Sequence, residues 1–314
     1  MPVGPIARQN GAIELPLVGP APPIATSRIE RRRALQKITI FLVLVMAFSA
    51  AISALRALIQ HGANLSALPL SPSLVDGLMM WSVGLAGVLA ALMVDRSLKD
   101  VGLGFARPKY LILAASVPLA YCTAIYVPVW IFGLGQFGGG EVLFAGLLSA
   151  LSGLPLHLFF AAGEEIGWRG VLVPNLARAA GFKYVAVLPG AIWALWHYPD
   201  ILFFGYNAGT PRVSALACFS VALIGLGVFL SWLRLASNSV WPAVIFHGAH
   251  NSIIWRAFDH ATGRGAMTGY VATEFGLGFA IAGAVVGYLC WTALQRRMTP
   301  EPIKNCGESW CVAG

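Results

Sequence analysis

Three stretches hold the side chains that could do chemistry: Gly163-Glu164-Glu165-Ile166-Gly167-Trp168-Arg169-Gly170, Trp193-Ala194-Leu195-Trp196-His197-Tyr198-Pro199-Asp200, and Phe246-His247-Gly248-Ala249-His250-Asn251. Each lies in an otherwise apolar run. Ionisable groups are costly inside a membrane and point to function by default. On a helix, Glu165 and Arg169 stand four apart on one face and can pair, whereas Glu164 points about 100° away. Two neighbouring carboxylates do not both ionise in a low dielectric unless one is compensated. Arg169 could compensate Glu165 and leave Glu164 as a base. His247 and Asn251 also share a face, with His250 flanking them.

Structural explanations stand beside these. The acidic stretch could be a helix end meeting water, Trp193 and Trp196 interfacial anchors, and His247/Asn251 interhelical glue. Taken together, a carboxylate pair, two imidazoles and an amide suit hydrolysis by activated water: a glutamate takes the proton and nearby donors hold the oxyanion. No GxSxG surrounds a serine and no histidine neighbours a span cysteine, so a Ser or Cys nucleophile is unsupported. Neither a metal nor another cofactor is expected. If a metal is present, Glu164, His197 and His247 would be its ligands and zinc a fitting ion, although HExxH is absent.

These stretches need apolar elements to carry them. Of 314 residues, 58% are hydrophobic and 11% charged, and mean hydropathy is +0.74. That excludes a soluble globular domain and intrinsic disorder. Apolar runs predict spans at 38–59, 73–94, 110–133, 143–177, 184–204, 213–235, 239–258 and 271–294. The expectation is an all-α polytopic membrane protein, about eight transmembrane helices enclosing an intramembrane active-site cavity. Residues 1–36 read as a flexible, Pro-rich, basic arm, 37–297 as the membrane domain with its motif core at 145–255, and 298–314 as a short tail. Pro155 leaves two options for the long fourth run: a kinked helix, or a re-entrant piece followed by a helix starting near Leu154.

The net charge is +8. Basic residues gather outside the spans, at Arg28, Arg31, Arg32, Arg33 and Lys37, at Arg96, Lys99, Arg107 and Lys109, and at Arg296 and Arg297. This positive-inside pattern predicts an integral multi-pass protein with both termini cytoplasmic, in the cell membrane if bacterial. Arg256 and Arg264, on a predicted outer loop, do not fit it. The expected partners are membrane lipid and a peptide or lipidated-protein substrate, not nucleic acid. Cysteine spacing suggests no disulfide framework. The final Cys311-Val312-Ala313-Gly314 has a C-a-a-X form and reads as coincidence.

The three stretches resemble the motifs EExxxR, FxxxH and HxxxN of the CPBP family of intramembrane proteases, which includes type II CAAX prenyl endopeptidases and Abi-like proteins. Here they read Glu164-Glu165-x-x-x-Arg169, Trp193-x-x-x-His197, with Trp in place of Phe, and His247-x-x-x-Asn251. The resemblance implies an eight-helix glutamic protease. In it, Glu164 would activate water with help from His197, His247 and Asn251 would stabilise the oxyanion, and Glu165 and Arg169 would organise the site. A bacteriocin self-immunity factor or scaffold without proteolysis, and a proton-coupled transporter, remain alternatives.

Overall fold

The computed structural model describes residues 27–61 and 71–298. Helices occupy all eight predicted segments: α1 (Arg28–Gln60), α2 (Pro72–Asp95), α3 (Pro108–Ile131), α4 (Gly140–Gly167) continuing into α5 (Val173–Ala179), α6 (Phe182–Phe203), α7 (Arg212–Ser237), α8 (Trp241–Ile253), then a four-residue α9 (Thr268–Val271) and α10 (Leu277–Met298). Two-residue strands β1 (Gln136–Phe137) and β2 (Thr262–Gly263) pair antiparallel. Six segments are long and apolar enough to cross a membrane: α1, α2 from Leu74, α3, the run 140–179, α7 and α10. The aromatic and polar residues from Trp193 to Asp200 dilute α6, and α8 is short, so these two motif carriers fall outside the six. The chain is an all-α polytopic membrane protein.

Several boundaries differ from expectation. Residues 28–36, read as part of the arm, are helical. Ser27 caps them: its hydroxyl accepts from the Glu30 amide at 3.1 Å, while Glu30 accepts from the Ser27 amide at 3.3 Å. Arg31 then donates to the Ala179 carbonyl at 3.0 Å, tying the basic run to α5. The fourth run passes through Pro155 as one helix, not as a re-entrant piece. The last span starts at Leu277 rather than 271, because Thr273 adopts a positive φ of 62° and turns the chain. The rest of the arm, the 62–70 link and the tail with Cys306 and Cys311 lie outside the described residues; Cys122, Cys218 and Cys290 are unbridged.

Ion pairs fasten the bundle at both ends. Lys37 pairs with Asp95 and Arg178 with Asp100 at the basic end, and Arg56 bridges Asp76 and Asp200 at the other. Between them, glycines bring α2 and α4 into backbone contact. A Cβ on Gly84 would meet the Gly163 carbonyl at 2.4 Å, and one on Gly167 would meet the Val83 carbonyl at 2.5 Å. This is the small-residue close packing of membrane helices. Gly163 and Gly167 bracket the acid pair, so the contact fixes the backbone that carries it.

Candidate active site

Glu164 and Glu165 sit near the C-terminal end of α4, and both are buried. The next five residues, Trp168–Leu172, form a π turn, a form of helix that recurs at functional sites. Asn251 is likewise followed by a π turn at Ile254–Phe258. The predicted pair is present: Arg169 donates to Glu165 Oε1 at 2.9 Å, with both side chains fully buried. His247 Nδ1 donates to the same oxygen at 3.0 Å. Glu165 thus joins the first motif to the third and leaves His247 Nε2 to face elsewhere.

Glu164 has different company. Its Oε2 accepts from the Trp193 indole N–H at 2.7 Å and from that of Trp168 at 3.4 Å. Trp193 also touches nearly every other member of the set. Its carbonyl accepts from His197 Nδ1 at 2.9 Å, which orients that ring and leaves its Nε2 lone pair available. Its ring centroid lies 5.3 Å from that of His247 and 6.0 Å from that of His197. The Arg169 guanidinium stands 4.3 Å over its face, a cation–π arrangement. Trp193 is therefore no interfacial anchor; it is buried at the hub. Trp196 binds Ser49 on α1 instead, at 2.8 Å.

The structure brings Glu164, Glu165, Arg169, His197 and His247 together around this indole. Asn251 lies one turn beyond His247 on α8 and is buried, but its side chain bonds none of the other five. A hollow of about 450 Å³ lies at the basic end, lined by Arg33, Lys37, Lys99, Asp100, Arg178 and Arg234 among others. It does not reach the acid pair, where the side chains close upon each other through Trp193. Among the described residues no group of three or more His, Cys, Asp or Glu side chains is arranged to hold a metal ion. Two indole donors occupy Glu164 Oε2 as well.

Three contributors escaped the sequence reading. Trp193 was seen only as an aromatic, because its donor role depends on where α4 lies. Arg234, buried in α7, donates from Nε to the Arg169 carbonyl at 2.9 Å, bracing the π turn. Glu274, also buried, lay within the predicted last span, so the rule that picked out Glu164 applied to it too.

Residues 146–253 match the family model described as type II CAAX prenyl endopeptidase, Rce1-like. Over 116 residues the chain is 29% identical to a CAAX prenyl protease 2 of Methanococcus maripaludis. That alignment covers 36% of this chain and 42% of the relative. The matched segment runs from within α4 to the end of α8 and contains all six predicted site residues. Residues 146–253 thus carry the sequence signature of the Rce1-like, type II CAAX prenyl endopeptidases.

Proposed function

We propose that the chain is an intramembrane endopeptidase that hydrolyses peptide bonds of membrane-associated substrates, prenylated CAAX-type proteins foremost. The observation that carries this is the division of labour between two adjacent carboxylates. Glu165 is neutralised by Arg169 and bound by His247, so it serves structure. Glu164 meets only neutral indole donors on Oε2, which leaves Oε1 to take a proton from water. His197 Nε2, oriented through Nδ1 by the Trp193 carbonyl, assists that transfer. The attacking oxygen adds to the scissile carbonyl, and the oxyanion is received by His247, doubly protonated so that Nε2–H donates while Nδ1–H holds Glu165, and by the Asn251 amide. Collapse of the intermediate then breaks the C–N bond as the proton held by Glu164 passes to the leaving amine.

The chemistry proceeds without a metal or other cofactor. The basic end, with Lys37, Lys99, Arg178 and both described termini, faces the cytoplasm, and in a bacterial host the bundle would sit in the cell membrane. Lipid and a lipidated peptide are the partners.

The experiment is cleavage of a prenylated CAAX peptide by the full chain in liposomes, with and without chelator. The wild type cleaves in both, and His247→Ala loses at least about 100-fold in kcat, the usual scale for an oxyanion donor. Full activity in His247→Ala would overturn the assigned role. Loss of wild-type activity on chelation would overturn the metal-free mechanism.

A further inference from the structure

A second buried acid–imidazole set lies beside the first and is not used in the mechanism above. Glu274, in the turn before α10, accepts from the Trp255 indole at 2.9 Å. Its other oxygen lies 3.7 Å from His250 Nε2. The Tyr121 hydroxyl is 2.5 Å from His250 Nδ1; if it donates there, the imidazole proton sits on Nε2, toward the carboxylate. Phe275, the residue after Glu274, packs edge-on against the Tyr206 ring, with centroids 4.9 Å apart. Glu274, Tyr121 and His250 are all buried. A carboxylate at such a place is costly to keep, and apolar packing would have closed the turn without it.

What these contacts reach gives the set its meaning. His250 precedes Asn251 and lies three residues from His247 on α8. Trp255 belongs to the π turn that ends α8. Tyr206 stacks on His197, centroids 5.8 Å apart and planes 26° from parallel. The carboxylate therefore holds the helix of the oxyanion donors, and the residue after it packs on the ring against which the other histidine rests.

We propose that Glu274 is a positioning residue of the peptidase site, setting the register of His247 and Asn251 through His250 and Trp255. The proposal rests on the peptidase reading given above. Small displacements of reacting groups cost about 100-fold, so its effect falls on kcat rather than KM.

The test uses the full chain in liposomes with a prenylated CAAX peptide, comparing wild type, Glu274→Gln, Glu274→Asp and Tyr121→Phe across pH. Glu274→Gln is expected to lower kcat about 10- to 100-fold, to hold KM within about threefold, and to displace the pH profile. Glu274→Asp recovers part of the loss. Unchanged kcat and pH profile in Glu274→Gln would overturn the proposal. Should that variant fail to fold, Tyr121→Phe decides: it keeps the ring beside His250 and removes only the hydroxyl, and an unchanged kcat there would overturn it equally. If the wild type itself does not cleave, the peptidase reading falls. The ¹⁵N shifts of the His247 and His250 rings then decide the positioning claim; they move in Glu274→Gln if it holds, and their constancy would refute it.

Discussion

The charges at the basic end and those around Trp193 are of the same kinds, yet they stand in different media. Arg178 and Asp100 pair at 2.7 Å with side chains 34% and 51% exposed. Glu165 and Arg169 pair at 2.9 Å with both at 0%. At the wet pair, water replaces whichever partner is lost, and the bond is worth about 0–1 kcal/mol. At the dry pair no such substitute exists, so removing one partner strands the other at a cost of about 3–5 kcal/mol. Distance is nearly equal in the two, so surroundings decide the energy. A site kept this dry makes each charge depend on the partner that the fold supplies, which the basic end does not.

The comparison can be broken by substitution. Arg169→Ala should lose about 3–5 kcal/mol of stability, read from denaturant titration in micelles. It also frees Glu165 Oε1 from its cation and removes the guanidinium above Trp193. Arg178→Ala should shift stability by no more than about 1 kcal/mol in the same titration. Equal effects in the two variants would mean that burial is not what separates the regions.

Much of this arrangement was legible along the chain, for physical reasons. Apolar run length marks a span without reference to its neighbours, and each predicted segment holds a helix. The Glu165–Arg169 pair was readable because four residues is one helical turn. Contacts between elements were not readable in this way. The Trp193 donor reaches Glu164 only because α6 lies against α4, and the glycine contacts depend on which face α2 turns. Arg256, the misfit in the charge count, is explained by its partners: it donates to His157 at 3.1 Å and Ser149 at 3.3 Å on α4. A cation satisfied inside the bundle is no longer a topological signal. Glu274 was the avoidable omission. It stood in an apolar run in plain view, and what the sequence withheld was its partners.

The central claim is that Glu164, held by two indoles and apart from the Glu165–Arg169–His247 set, is the group that activates water. Glu164→Gln tests it most directly, since it keeps the shape and the acceptor for Trp193 while removing the base. Single-turnover cleavage of a prenylated CAAX peptide by this variant in liposomes should fall by at least about 1,000-fold, with peptide binding and thermal stability near those of the wild type. Turnover within about threefold of wild type would contradict the account.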